Sequence, residues 1–230
     1  MPASIAGPER LRRVVPSMAA LPARMAETRT PGPVGTKISF DRHETIFRVG
    51  DVAGEIFEIL AGAAMVYQLL EDGRRQVVEV VLPGGMVGFA VNGSHPSTCE
   101  ALTCVRLHSY RTCDLDHSLE LRARVGAHAQ AQICAMHQHV LALGRKTAEE
   151  RVAGLIVRFA AVGLREFGCS ISLELPMTRS EIGDHLGLSL ETICRTLNGF
   201  QQKGLLALGK KRGEVIVKNL ARLRQMAGME

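Results

Sequence analysis

The segment Thr178–Gly204 constrains the fold of this chain more than any other, because it contains the start and stop signals of two short helices joined by a tight turn. Thr178 and Glu181 have the spacing of a capping box, in which a hydroxyl and a carboxylate each accept a hydrogen bond from a backbone N–H group at the start of a helix. Gly187 supplies the turn after the first helix, and Ser189 is a candidate N-cap for the second. The segment therefore predicts a helix-turn-helix.

The second helix of this segment has two different faces. Ile193, Leu197 and Phe200 share an apolar face, as in a helix that packs on a core. The opposite face carries Glu191, Cys194, Arg195 and Asn198. A carboxylate can accept a hydrogen bond from cytosine N4, and an arginine can donate two to guanine O6 and N7. This face predicts base reading in a major groove by Glu191 and Arg195; the alternative is a two-helix packing unit in an unrelated helical domain.

A basic hairpin is predicted directly after the second helix. Two short apolar runs, Leu205–Leu208 and Glu214–Val217, flank a Gly-Lys-Lys-Arg-Gly turn. Such a turn is often only solvated, but after a recognition helix it is placed to contact phosphates, as the wing of a winged helix does. The candidates for contacts with the DNA backbone are Thr178, Arg179, Ser180, Ser189, Thr192, Asn198, Lys210, Lys211 and Arg212.

Composition limits the class of protein. The formal net charge of +5 and the pI near 9.1 are a modest basic excess, which supports a nucleic-acid partner. The low aromatic content of 4%, with no Trp, argues against a base-stacking single-strand binder. The six cysteines show neither CxxC pairs nor metal-ligand spacing. Because no apolar run approaches the roughly 20 residues of a membrane span and no secretory signal is seen, we predict a soluble cytoplasmic protein.

The pattern along the chain predicts an α+β fold in four parts. Residues 1–36 are rich in proline and without strand-like alternation, which predicts a disordered tail. Residues 37–114 contain short β-like runs separated by glycines, with a hairpin signal at Asp72-Gly73, which predicts an antiparallel β-roll. Residues 115–145 have a helical apolar period that is too long for one face of a small domain, which predicts a dimerisation helix. Residues 146–230 are the predicted winged helix-turn-helix domain.

Four histidines in the long helix raise the alternative of a metal or haem site: His117, His128, His137 and His139. No carboxylate–histidine or His-x-x-x-His pattern frames them. His137 and His139 are close, but two residues apart on a helix they point to different faces. We therefore predict no metal and no cofactor. The roll is also compatible with a ligand-binding barrel that acts as an allosteric module. A cupin-like enzyme is disfavoured because the eight histidines are scattered and no His/Glu metal set is clustered.

The order of roll, long helix and winged helix resembles that of the CRP/FNR family of bacterial transcription regulators. The resemblance covers about residues 38–220 and is specific at residues 82–97, at residues 146–153 and at Glu191-x-x-Cys194-Arg195, which is similar to the E-x-x-S-R recognition motif of the FNR branch with Cys in place of Ser. It implies a homodimer that binds double-stranded DNA of the TTGAT-N4-ATCAA type and contacts RNA polymerase. Arg195 would read guanine, Glu191 the opposite cytosine, and Cys194 would lie at the neighbouring thymines.

Two departures from the family pattern bear on its effectors. Members that bind cyclic AMP use an arginine for the phosphate, but the corresponding segment here is Pro96–Cys99, and a buried phosphate without a partner is very costly. The oxygen sensor of the FNR branch uses an N-terminal cysteine cluster, but the first cysteine here is Cys99. The resemblance is therefore to the FixK-like group, without cyclic nucleotide or iron–sulfur cofactor. The alternative is an effector-dependent sensor of the haem or nitric oxide type that regulates nitrogen-oxide or microoxic respiration.

Cys194 has two interpretations. It is a small side chain that can lie against a thymine methyl where other members have Ser. It also lies in the first turns of a helix and beside Arg195, and both features favour a reactive thiolate. Oxidation would add negative charge or bulk at the DNA surface, so the second interpretation is redox control.

Overall fold

The computed structural model describes residues 35–90, 92–162, 165–167, 170–211 and 213–229. Nearly all of the predicted tail lies outside these residues. Thr36, which the sequence assigns to the end of the tail, is instead the first residue of a strand, because its backbone pairs with Ser109 in a distant part of the chain. No helix in the described part of the chain is long and apolar enough to cross a membrane.

The first half of the described chain is a β-roll. Its strands are β1 (Thr36–Phe40), β2 (Thr45–Phe47), β3 (Glu55–Ala61), β4 (Ala64–Leu69), β5 (Arg75–Val81), β6 (Met86–Val87), β7 (Thr98–Ala101) and β8 (Val105–Arg111). They form two four-stranded sheets with the orders β1-β8-β3-β6 and β2-β7-β4-β5. The described pairs are antiparallel. The predicted antiparallel roll is confirmed.

The hairpin between β4 and β5 lies where Asp72-Gly73 predicts it. Residues 70–74 connect the two strands, and the Leu70 N–H donates to the Arg74 carbonyl across the base of the turn, at 2.8 Å. The Asp72 carboxylate accepts hydrogen bonds from the backbone and the side chain of Arg74. Gly73 has a φ of +81°, a conformation that disfavours any residue with a Cβ atom. The turn chemistry at this position therefore sets the hairpin.

The long helix begins later than its apolar period predicts. A short helix, α1 (Asp114–His117), comes first, and α2 (Leu119–Arg145) follows after Ser118. Ser118 separates the two because its backbone is extended and its hydroxyl accepts a hydrogen bond from the Leu121 N–H at 3.2 Å, which makes it an N-cap. Leu121 is the buried residue of α2, whereas several apolar residues farther along are exposed in the single chain.

The second half of the described chain contains α3 (Ala148–Val162), β9 (Arg165–Phe167), β10 (Ser170–Glu174), α4 (Arg179–Leu186), α5 (Leu190–Gln202), β11 (Leu206–Leu208), β12 (Glu214–Val217) and α6 (Leu220–Ala227). The strands form one sheet in the order β11-β12-β10-β9. The predicted wing is the hairpin of β11 and β12, in which Leu208 pairs with Val215. The sequence patterns did not identify β9, β10 and α6. In the case of β10, the strand depends on pairing with the distant β12.

The hydrophobic core is continuous between the two halves. Seven residues of α3 are buried, among them Ile156 and Phe159, and they pack with the apolar sides of α4 and α5. Val77 and Val80 of β5 belong to the same buried cluster. The roll also has a cluster of its own. The helix-turn-helix is therefore docked against the roll by apolar packing.

Candidate nucleic-acid interface

The first helix of the helix-turn-helix, α4, is held at both ends by the residues that the sequence singles out. The Thr178 hydroxyl accepts from the Glu181 N–H at 3.2 Å, and the Glu181 carboxylate accepts from the Thr178 N–H at 2.7 Å. Gly187 ends the helix with a φ of +63°. Gly183 is required for the turn, because a Cβ atom there would lie 2.5 Å from the Leu188 carbonyl oxygen. The geometry of the turn that aims α5 is thus set locally.

Thr178→Ala is expected to lower the free energy of unfolding by about 1 kcal/mol, because the Glu181 N–H loses its acceptor and the capping box is broken. Urea denaturation followed by circular dichroism measures this change. Ser180→Ala is the matched control, since Ser180 is an exposed hydroxyl residue of the same helical turn. Equal stability of the two variants would contradict the capping role.

The second helix, α5, has the two faces that its sequence predicts. The Ser189 hydroxyl accepts from the Thr192 N–H at 3.2 Å and begins the helix. Ile193, Leu197 and Phe200 are buried in the core. Because their side chains fix the rotation of the helix about its axis, the opposite face is turned outward.

The outward face of α5, which we call the reading face, consists of Glu191, Cys194, Arg195 and Asn198. Glu191, Arg195 and Asn198 are exposed, and Cys194 is partly buried. Hydrogen bonds from its own backbone N–H and from the Ser189 side chain lower the pKa of Glu191, so its carboxylate is ionised at neutral pH. An anionic acceptor and a cationic forked donor thus lie one helical turn apart on an accessible surface.

Arg179 reaches the reading face from α4. Its Nη1 donates to the Cys194 Sγ at 3.4 Å, which places a guanidinium on the thiol. The sequence assigns Arg179 to DNA backbone contacts, and helical periodicity could not reveal this contact between two helices. A second residue that the sequence missed is Glu149 of α3, which pairs with Lys203 at 2.7 Å beside the end of α5. Both side chains of that pair are about half exposed.

The remaining candidates for DNA backbone contacts lie at the starts of α4 and α5 and in the wing. The hydroxyls of Thr178 and Ser189 are already engaged as helix caps. Thr192 lies 3.1 Å from Ser189, hydroxyl to hydroxyl. In the wing, Lys210 and Lys211 are exposed at the tip, and the Lys211 N–H donates to the Glu214 carboxylate. Arg212 lies outside the described residues.

The roll segments that depart from the family pattern make contacts within the chain. The Ser97 hydroxyl accepts from Gln68 Nε2 at 3.2 Å. The Thr98 hydroxyl accepts from the Val49 N–H at 3.2 Å, and Cys99 is fully buried. The Met86 N–H donates to His128 Nε2 of α2 at 3.0 Å, and burial lowers the pKa of that histidine, which keeps it a neutral acceptor. Within the described part of the chain, no three His, Cys, Asp or Glu side chains are grouped to hold a metal ion.

Comparison with known proteins covers both halves of the chain. The family model described as a cyclic nucleotide-binding domain matches residues 37–116. The model described as a Crp-like helix-turn-helix domain matches residues 150–226, which include α4, α5 and the wing. The second match assigns the helix-turn-helix to a DNA-binding type rather than to a packing unit of another helical domain.

Relatives along most of the chain decide the family. The nitrogen fixation regulation protein FixK of Bradyrhizobium diazoefficiens is 31% identical over 80% of this chain and 79% of its own. This chain belongs to the CRP/FNR family of transcription regulators. The fumarate and nitrate reduction regulatory protein of Escherichia coli is 35% identical over 84% of this chain and 78% of its own. The structure of FixK2 from Bradyrhizobium japonicum has a TM-score of 0.75 with this chain at 29% identity, over 84% of this chain and 97% of the other.

These matches confirm the family and the fold that the sequence predicts. The chain is a DNA-binding transcription regulator of this family, similar to FixK and FNR proteins. These relatives are regulators and not enzymes, so they give no support to the cupin-like alternative.

Proposed function

We propose that this CRP/FNR-family chain works as a homodimer that reads a pseudo-palindrome of the TTGAT-N4-ATCAA type, without a cyclic nucleotide or an iron–sulfur cofactor, and that oxidation of Cys194 switches the reading off. The observation that carries the proposal is the reading face, in which Glu191, Arg195 and Asn198 are exposed while the other side of α5 is buried. A DNA reader of a bacterial family acts in the cytoplasm, where the DNA is.

Each residue of the reading face has a role of its own in this proposal. Arg195 donates two hydrogen bonds to guanine O6 and N7, and the Glu191 carboxylate accepts from the N4 amino group of the cytosine on the other strand. Cys194 lies against the methyl groups of the neighbouring thymines. Each well-formed contact of this kind favours the correct base over a wrong one by about 1–3 kcal/mol.

Contacts with the DNA backbone set the register of the reading face. Arg179, Ser180, Lys210 and Lys211 are exposed, Arg179 also contacts Cys194 of the reading face, and Arg212 is assigned to the same role from the sequence. Thr178 and Ser189 would contact phosphates through the starts of α4 and α5, because the first N–H groups of a helix attract anions. Thr192 and Asn198 complete the set. Contacts of this kind hold the protein on DNA without specifying sequence.

The dimer seam is proposed to run along α2. Gly126, Ala129, Ile133, Met136, Val140 and Leu143 follow one another at alternating steps of three and four residues. This is the a/d spacing of two helices that pack along their length. Ile133, Met136 and Val140 are more than half exposed in the single chain. A second copy of α2 would bury them, and two copies of α5 would then meet successive major grooves.

The proposal also assigns a role to each of the other parts of the chain. Residues 36–111 act as the roll, α2 (Leu119–Arg145) as the dimerisation helix and residues 146–230 as the DNA-binding domain. Since a relative of Cereibacter sphaeroides is named a transcriptional activator protein, we propose that the chain activates transcription through contact with RNA polymerase. The roll lacks an arginine at residues 96–99 for a cyclic phosphate, and Ser97 and Thr98 are already bonded within the chain.

Redox control rests on the position of Cys194. Its sulfur accepts a hydrogen bond from Arg179 and lies on the reading face. Peroxide transfers one oxygen to the thiolate and leaves as hydroxide, which gives a sulfenic acid; further oxidation gives a sulfinate with a fixed negative charge. That charge would lie beside the phosphates of DNA, and repulsion at such distances opposes binding.

The test is binding of the purified protein to a TTGAT-N4-ATCAA duplex, measured by fluorescence anisotropy without added ligand. In reductant we expect tight binding, at least about 1000-fold tighter than to a duplex with scrambled half-sites. Mild peroxide is expected to weaken binding by at least about tenfold in the wild type and to leave Cys194→Ser unchanged.

Three outcomes would contradict parts of this proposal. Equal affinity for the scrambled duplex would reject the assigned site. No binding in reductant would mean that the roll requires an effector, which is the haem or nitric oxide alternative. Equal loss of binding in wild type and Cys194→Ser after peroxide would remove Cys194 from the redox step.

A further inference from the structure

Polar contacts from α4 and α3 to β5 add to the apolar packing between the helix-turn-helix and the roll. Arg75 of β5 pairs with Asp184 of α4 at 2.9 Å. His185 of α4 donates from Nδ1 to the carbonyl of Val77, at 3.0 Å. Arg158 of α3 donates from Nη2 to the carbonyl of Val80, also on β5, at 2.7 Å. These contacts fasten the DNA reader to one strand of the roll.

A pair of stacked histidines lies at the centre of this junction. The rings of His139 from α2 and His185 from α4 are 4.4 Å apart and within 8° of parallel. His185 is 3% exposed, and the Nε2 atom of His139 is buried without a hydrogen-bond partner. The pair therefore joins three elements, namely the long helix, the first helix of the helix-turn-helix and, through Val77, the roll.

The charged groups around the two rings disfavour protonation of either histidine. From α3, Arg158 presents positive charge to both rings and Arg151 presents it to His139. Asp184 of α4 is paired with Arg75 of β5, so the two charges offset each other. Glu181 of α4 is engaged in the capping box. Within the described residues, neither ring of the pair is bonded to a carboxylate.

One acidic group of β5 requires separate treatment. Glu79 is bonded to Gln132 of α2 and lies near Arg158. Burial raises the pKa of Glu79, so acidification adds a proton to it most readily while it is buried. Its titration therefore opposes that of the histidines and reduces the net effect of pH.

We infer that His139 and His185 form a proton-sensitive clasp, which holds α4 on β5 while both rings are neutral and releases it when either ring takes up a proton. A cation formed there would face a second imidazole and the arginines of α3 without a counter-charge, and His185 has almost no access to water. The reading face of α5 is exposed in the docked arrangement. The clasp therefore orients the DNA reader on the roll and does not cover it.

The direction of the pH effect follows from proton linkage. Burial, and after it the neighbouring His139 and Arg158, lower the pKa of His185 to about 4. Burial, with Arg158 and Arg151, also lowers the pKa of His139. In the released state both rings would titrate near about 6.5. The released state then binds more protons, so docking is strongest above about pH 6.5 and weakens as the pH falls towards about 4. For His185 alone, docking at about pH 5 should be about 20-fold weaker than at about pH 7.

Hydrogen–deuterium exchange of the full-length protein tests the clasp. Amide protection is measured for β5 and α4 at several pH values between about 7.5 and 5, after correction for the chemical exchange rate. We expect it to fall by up to about 30-fold in the wild type, while β3 of the same roll keeps its protection. The variant His139→Asn/His185→Asn should lose less than about threefold, because asparagine keeps a donor for the Val77 carbonyl and takes up no proton. His117→Asn, an exposed site on α1, should behave as the wild type.

Either of two results would overturn the clasp, namely a wild type without pH dependence at β5 and α4, or a double variant with the same dependence as the wild type. If the double variant does not dock at neutral pH, NMR of the histidine ring protons in the wild type decides. Two rings should then titrate together with the loss of amide protection. Titration of all eight histidines near their ordinary pKa, with protection of β5 and α4 unchanged, would overturn the clasp.

Discussion

Val140→Asp is expected to convert the protein from a dimer to a monomer and to weaken binding to the palindromic site by at least about 100-fold, which is about 2.7 kcal/mol. Val140 is 64% exposed in the single chain although it is a large apolar residue. In the proposed seam along α2 it would pack against its counterpart in the second copy. Two carboxylates brought together in an apolar seam lose hydration without gaining a partner. A monomer would also hold only one half-site.

Sedimentation equilibrium gives the oligomeric state, and anisotropy on the same samples gives the affinity for DNA. Gln138→Asp is the matched control, because Gln138 is exposed on α2 between two seam positions and points away from the seam. It should remain a dimer with wild-type affinity. A dimeric Val140→Asp variant would place the seam on another surface of the chain.

Arg195→Ala should cost about 1–3 kcal/mol on the specific duplex and flatten the preference for guanine at the position that it reads. The exposed guanidinium on the reading face is the only forked donor that the proposal assigns to a base, so its loss leaves the guanine edge without a protein donor. Arg195→Lys should recover part of the affinity but little of the preference, because an ammonium group has no planar fork.

Lys211→Ala is the comparison for Arg195→Ala. Lys211 is exposed at the wing tip and is proposed to contact phosphates, so its removal should weaken binding to all sequences about equally and lower the salt slope by about one. A panel of duplexes with single base changes, titrated at several salt concentrations, separates the two effects. If both variants lose affinity without any change in sequence preference, the division of roles is wrong.

Local signals predicted the helix-turn-helix well for physical reasons. The capping box of Thr178 and Glu181, the left-handed Gly187 and the N-cap at Ser189 each act over three or four residues. The rotation of α5 could be predicted too, because Ile193 and its apolar neighbours have a helical period. A motif that is specified by caps, turns and periodicity within a few residues can be identified before the fold is known.

One local cap was overlooked, and signals that depend on distant partners were missed. The apolar period of the long helix predicted a start at residue 115, whereas the cap at Ser118 delays it to Leu119. Strand β10 was not identified because its partner, β12, lies beyond two helices in the chain. The contact of Arg179 with Cys194 joins two helices, and neither side chain signals the other.

The sequence by itself determined the family, the antiparallel roll, the helix-turn-helix and the polar face that we propose reads DNA, because each depends on short-range caps, turns and periodicities or on motifs of a few residues. Only the tertiary structure decided that α4 is fastened to β5 and that His139 and His185 meet in a buried stack. Those two histidines are 46 residues apart (185 − 139) on different elements. Their contact, and the desolvation that lowers their pKa values, exists only when the two halves of the chain have packed together.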